Sequence, residues 1–163
     1  MAVYQKVIFV CRDNLCQSPV AEMILKCIKR DEWLDVESRG MVVLFPEPYS
    51  LKAHNLLRNN GIFMENGTSK QLVQADFSRT TLILTMDREQ KQKIISEYNN
   101  TENVYSIMEF AGGSGDIFDP YGGDQDVYTL FFESLKTWVT QVENKIYEMK
   151  QGISEENTKE EEE

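Results

Sequence analysis

The sequence predicts an α/β domain built in three layers, α/β/α, around a four-stranded parallel sheet. Three observations carry this expectation. Short β-rich apolar runs alternate with amphipathic stretches along most of the chain, the pattern of strands joined by helical crossovers. The apolar runs read as buried strands. A tight polar turn, "CRDNLCQSP" at 11–19, joins the first strand to the first helix, and in such sheets the carboxyl ends of the strands hold the ligand site.

The elements follow in order. Residues 4–11, "YQKVIFVC", are the first strand. "SPVAEMILKCIKRDEW" (18–33) is a helix with Ala21, Ile24, Leu25 and Ile28 on one face. Ser18 fits its N-cap and Pro19 its first helical position. "LDVESRGM" (34–41) is a second strand ending in Gly40. "SLKAHNLLRNNG" (50–61) is a helix that points Leu51, Ala53, Leu56 and Leu57 inward and stops at Gly61. "TTLILTM" (80–86) is a central strand, "DREQKQKIISEY" a polar helix and "NVYSI" (103–107) the fourth strand. A long helix from about Gln125 to Lys150 closes the fold, with Val127, Leu130, Phe131, Leu135, Trp138, Val142 and Ile146 as its apolar stripe.

At 163 residues and 41% apolar content, the chain is one core-forming domain, 1–150, followed by a tail, 151–163. The tail carries six Glu and one Lys, so −5 of the net −10 lies there. Such a segment buries no apolar area and is expected to be disordered. The other −5 argues against nucleic acid or an anionic membrane as partner. No apolar run is long enough to span a bilayer and no signal peptide is visible, so the expected location is cytoplasmic. Three cysteines, Cys11, Cys16 and Cys27, fit reduced thiols rather than a disulfide framework. With one histidine, His54, they form no metal-ligand pattern. Cys27 reads as a packing residue of the first helix and His54 as a surface residue.

The first turn carries the chemistry. A helix N-terminus offers unpaired N–H groups and partial positive charge, and a preceding turn with inward amides makes it an anion cradle. Cys11 stands where the strand enters that cradle. The same field favours the nucleophilic thiolate, Ser18 is placed to donate to it, and Asn14 tolerates a left-handed backbone while tying the loop through its side chain.

With these residues in place, the loop resembles that of the low-molecular-weight protein tyrosine phosphatases, whose signature is V-C-x-G-N-x-C-R-S-P. Val10, Cys11, Asn14, Cys16, Ser18 and Pro19 match. The likeness, nearest the bacterial branch that includes protein-arginine phosphatases, extends from about Val3 to Lys150. It takes in "SRG" (38–40), "LILTMD" (82–87) and "GDIFDPYGGDQDVY" (115–128). The resemblance implies a two-step phosphoryl transfer without cofactor or metal, on a phosphorylated protein or a small phosphate ester. Cys11 is the nucleophile, Asp119 the general acid, and Tyr121 one wall of the cleft. Arg12, Asp13, Asn14, Leu15, Cys16, Gln17 and Ser18 form the substrate-binding loop. An aliphatic Leu15 goes with phosphotyrosine, whereas Thr at that place goes with phosphoarginine. Cys16 is the thiol that in this family can trap an oxidised nucleophile.

Two positions depart from the signature: Asp13 stands where the family has Gly, and Gln17 where it has Arg. A guanidinium grips two phosphate oxygens with a charged fork, and an amide cannot. The exchange is expected to cost on the order of 10³ in rate or more. A carboxylate at 13 opposes both the dianion and the thiolate. Arg12, on the outer wall of the loop, is expected to face Asp13 or solvent rather than fill the missing place. The sequence therefore predicts a weak phosphatase, with a pseudophosphatase that binds anionic groups or a partner protein as the alternative.

Overall fold

The computed structural model describes residues 3–162; residues 1, 2 and 163, which the domain and tail assignments also cover, lie outside the described residues. Four strands, β1 (Lys6–Cys11), β2 (Asp35–Gly40), β3 (Thr81–Thr85) and β4 (Val104–Ser106), form one sheet in the order β2-β1-β3-β4. Every pairing is parallel, with Cys11 opposite Gly40 at the carboxyl edge. The helices are α1 (Gln17–Ile28), α2 (Leu51–Asn59), α3 (Arg88–Glu97), the single turn α4 (Ile107–Phe110) and α5 (Gln125–Glu162).

The two faces of β1 explain the layers. Successive side chains alternate across a strand. Val7, Phe9 and Cys11 face a core completed by α1, α2 and α5, while Ile8 and Val10 face a smaller one completed by Ile94 of α3 and by Leu72 and Phe77. A strand apolar on both faces is stable only when both are covered, so β1 is interior and its end is a floor rather than an edge. Arg30, just past α1, ties that layer together: its backbone N–H and guanidinium both donate to the buried Glu143 carboxylate of α5.

Several elements differ from expectation. Helix α1 begins at Gln17 with Cys16 at its N-cap, and no side chain caps it; the Ser18 hydroxyl is turned onto Cys11 instead. Pro19 is then the third helical residue, where a missing N–H still costs nothing. The helix stops at Ile28 because Lys29 turns back, its ammonium donating to the Leu34 and Glu32 carbonyls. Cys27 is exposed rather than packed. Leu51 and Leu130 point outward. On α5 the buried stripe is Tyr128, Phe131, Leu135, Val139, Val142 and Ile146, a 3–4 spacing that leaves position 130 off the face. The one-turn α4 was hidden in "SIME", a Ser-x-x-Glu start in which Ser106 Oγ accepts from the Glu109 N–H at 3.2 Å. Helix α5 runs on through residues assigned to the acidic tail: Glu and Lys are good helix formers, and no proline intervenes. Among the described residues no helix is long and apolar enough to cross a membrane.

Candidate active site

The loop between β1 and α1 is held by Asn14. Its backbone is left-handed, φ 59°, which reverses the chain directly after the strand. Its buried side chain donates to Ser18 Oγ at 2.8 Å and to Ser38 Oγ at 2.9 Å, and accepts from the Lys70 N–H at 2.9 Å. One amide thus fixes the loop to α1, to β2 and to the segment beyond. Gly40 lets the loop sit this close: a Cβ there would lie 3.0 Å from the Asp13 carbonyl carbon and 3.1 Å from Asn14 Cβ.

Cys11 Sγ lies 3.0 Å from Ser18 Oγ and accepts from the Asn14 N–H at 3.3 Å. Ser18 already accepts from Asn14, so its own proton serves either the sulfur or the Arg39 carbonyl at 3.3 Å. A thiolate cannot donate, and against it Ser18 is the donor. Burial pushes the Cys11 thiol up from its ordinary value. The Ser18 hydroxyl and the Ser18 and Asn14 amides pull it back, while the Asp13 charge raises it further; the net direction is up. This differs from the thiolate-favouring field expected of the loop. Dipoles alone do not repay the desolvation of a fully buried thiolate, and no cation stands beside this one. Cys16 is likewise pushed up, chiefly by burial, to about 12.

The two departures from the signature each have a visible geometry. Asp13 Oδ1 accepts from the Leu15 N–H at 3.2 Å and stands 4.0 Å from Cys11 Sγ. A carboxylate of the chain itself therefore occupies one of the loop amides. Gln17 is buried, and its Nε2 donates to the Phe118 carbonyl at 3.4 Å. It links the loop to the segment that carries Asp119 instead of presenting its amide to the cradle.

That segment crosses over from β3 and α4. The Ile117 N–H donates to the Met86 carbonyl at 2.9 Å, and buried Ile117 anchors it. Asp119 then accepts from the Tyr121 N–H at 3.0 Å, an Asx-turn that Pro120 stiffens. Asp124 accepts from the Val127 N–H at 3.1 Å and starts α5.

A cleft of about 470 Å³ lies between the two loops. Arg12, Asp13, Leu15, Cys16 and Gln17 line it from one side, and Asp119 and Tyr121 from the other. Cys11, Asn14 and Ser18 are buried and do not line it; Asn14 and Ser18 hold the loop together from behind. Tyr121 is 89% exposed, a flap at the rim more than a packed wall. Pro120, Ser50, Lys52 and Tyr128 complete the lining; Ser50, Lys52 and Tyr128 were missed by sequence reasoning. Ser50 and Lys52 come in because the Ser50 N–H donates to the Leu15 carbonyl at 2.9 Å, a contact between residues 35 positions apart that no local pattern announces.

Comparison with known proteins agrees with this geometry. A sequence model of the family "Low molecular weight phosphotyrosine protein phosphatase" matches residues 6–155. The low molecular weight protein-tyrosine-phosphatase PtpB of Staphylococcus haemolyticus is 34% identical over 130 residues, covering 80% of this chain and 91% of its own length. Among solved structures, the YwlE arginine phosphatase from Geobacillus stearothermophilus superposes with a TM-score of 0.83 at 26% identity, over 90% of this chain and 96% of the other. A low molecular weight protein tyrosine phosphatase from T. tengcongensis does so with a TM-score of 0.78 at 30% identity, over 86% and 98%. By sequence and by fold alike, the chain belongs to the low molecular weight phosphotyrosine protein phosphatase family.

Proposed function

We propose that this protein is a cytoplasmic phosphatase of phosphorylated proteins, favouring phosphotyrosine, whose turnover is held low by Gln17 and Asp13. The observation that carries the reading is the Cys11 sulfur, 3.0 Å from Ser18 Oγ and 3.3 Å from the Asn14 amide, at the start of a loop that lines one cleft together with Asp119. In this reading the Cys11 thiolate attacks phosphorus, and the phosphorus–oxygen ester bond breaks as the protonated Asp119 gives its proton to the leaving oxygen. Water then attacks the cysteinyl-phosphate. Asp119 takes the water's proton, the sulfur–phosphorus bond breaks, and the thiolate returns. Arg12, Leu15 and Tyr121 at the rim meet the rest of the substrate.

Phosphotyrosine is supported by the apolar Leu15 in the cleft wall and by the PtpB relatives, which bear a tyrosine-phosphatase name; YwlE, named as an arginine phosphatase, keeps phosphoarginine as its rival. Free thiols at Cys11, Cys16 and Cys27 suit a reducing compartment. The second reading, a pseudophosphatase that holds an anionic group without turnover, is favoured by one observation: the Asp13 carboxylate already occupies the Leu15 amide.

A sensitive aryl-phosphate assay on the wild type, Cys11→Ser and Gln17→Arg tests both. Slow turnover that Cys11→Ser abolishes and Gln17→Arg raises supports the enzyme. Turnover that appears only with Gln17→Arg supports the binding reading. If neither vanadate nor phosphate raises the melting temperature of the wild type, both readings fall.

A further inference from the structure

A second, smaller groove of about 160 Å³ opens beside the cleft, between α2 and the start of α5. The two hollows share Lys52 and Tyr128, which line both. Lys52 breaks a local rule. It is the second residue of α2, at the positive end of a helix, where a cation is disfavoured. Among the described residues it has no carboxylate partner to offset that position; its ammonium lies 4.6 Å from the centre of the Tyr128 ring. A conflict that no carboxylate relieves is expected where function asks for it. Asn55 and Gln125 add neutral polar groups to the groove, and Asp124, engaged by the Val127 amide, also lines it.

We propose that this groove seats the residue adjoining the phosphorylated one in a protein substrate, and that Lys52 selects an acidic side chain there. The inference rests on the phosphoprotein reading above and adds the substrate's neighbouring residue to it. Continuity with the cleft sets the position, since consecutive residues of an extended chain are about 3.3–3.6 Å apart. Charge sets the chemistry: Lys52 is the cation at the junction, and the Tyr128 ring holds it there instead of letting it fold onto a carboxylate.

The test uses the full chain and peptides bearing phosphonomethyl-phenylalanine, a non-hydrolysable phosphotyrosine mimic, with Glu, Ala or Lys beside it. Binding is read by fluorescence anisotropy and expressed as a ratio within each protein. The wild type is expected to bind the Glu peptide about fivefold tighter than the Lys peptide, as an exposed ion pair allows. Lys52→Glu inverts the order, Lys52→Arg keeps it, and 0.5 M salt flattens it. Should Lys52→Glu not fold, Lys52→Gln is expected to bring the ratio to one. Peptides that bind without a charge preference, or a preference unchanged by Lys52→Glu, overturn the subsite and leave the phosphatase reading standing. No binding by any peptide, with no vanadate effect on melting, overturns both.

Discussion

Restoring a guanidinium at position 17 is the most informative single change. Gln17 contributes little that would be lost: its one bond, to the Phe118 carbonyl, is 3.4 Å long, and a bond at that limit is worth less than about 1 kcal/mol. The residue lines a cleft of about 470 Å³, so a longer side chain has room. The gain is much larger than the loss. A charged fork on the transferring phosphoryl group is worth roughly 10³ in rate, or about 4 kcal/mol of barrier. Gln17→Arg is therefore expected to raise kcat/KM on an aryl phosphate by about 10³.

The same change has a pH signature. The Cys11 thiol lies above its ordinary value of 9.0, so in the wild type the thiolate is scarce at neutrality; on an aryl phosphate whose leaving group is good enough to depart without a proton from Asp119, kcat/KM rises with pH to 9. A cation beside the sulfur favours the charged form and moves that limb to lower pH. Steady-state kinetics from pH 5 to 10, with Cys11→Ser/Gln17→Arg as the blank, reads both effects. A folded Gln17→Arg protein within tenfold of wild type, or one with an unmoved limb, refutes the reasoning.

Other outcomes follow from the same geometry. Asn14→Ala loses bonds to Ser18, Ser38 and Lys70 and puts alanine at φ 59°; urea titration should show a loss of about 2–4 kcal/mol, only partly recovered in Asn14→Gly. Asp119→Asn keeps the acceptor for the Tyr121 N–H but has no proton to give, so turnover of poor leaving groups should fall by about 10²–10⁴ with melting unchanged. Asp13→Gly frees the Leu15 amide, and vanadate should then raise the melting temperature more than in wild type. Cys16 is pushed from 9.0 to about 12 and so holds its proton more tightly folded than unfolded. Its stabilisation is complete below pH 9 and is lost by about 1.4 kcal/mol per pH unit above it; urea midpoints at pH 8, 9 and 10 should fall, and Cys16→Ser should make that fall shallower.

The strands, the helices and the loop that holds Cys11 were legible because each rests on local pattern. A buried strand and a left-handed Asn14 are properties of a few consecutive residues. What escaped notice depends on distant pairs. Ser18 reads as a cap until Cys11 competes for its hydroxyl. Gln17 reads as a crippled phosphate ligand, and only the folded chain brings Phe118 within reach of its amide. Lys52 lies in an ordinary helix start, and Leu130 looks apolar enough to be core until α5 is laid against α1. The described residues after Lys150 are mostly exposed and satisfy helix propensity with little burial, which charge counting alone does not weigh.

The residues that look most phosphatase-like are not the ones that argue most for chemistry. Asn14 and Gly40 would be needed in an inert protein too, because the fold itself hangs on the loop they shape. Ser18 is buried and bonded on every side. A buried thiol at Cys11 is compatible with either role. Asp119 is different: it is exposed, and its single bond, to the Tyr121 amide, would be made as well by asparagine. An acid there, across the cleft from the cysteine loop, has no packing reason to be an acid. The charges around that cleft now balance, Arg12 and Lys52 against Asp13 and Asp119, and all four line it without any one of them being buried. In the proposed reading, stabilisation of a phosphoryl dianion is left to amide dipoles and the start of α1, without the charged fork that an amide at Gln17 cannot supply.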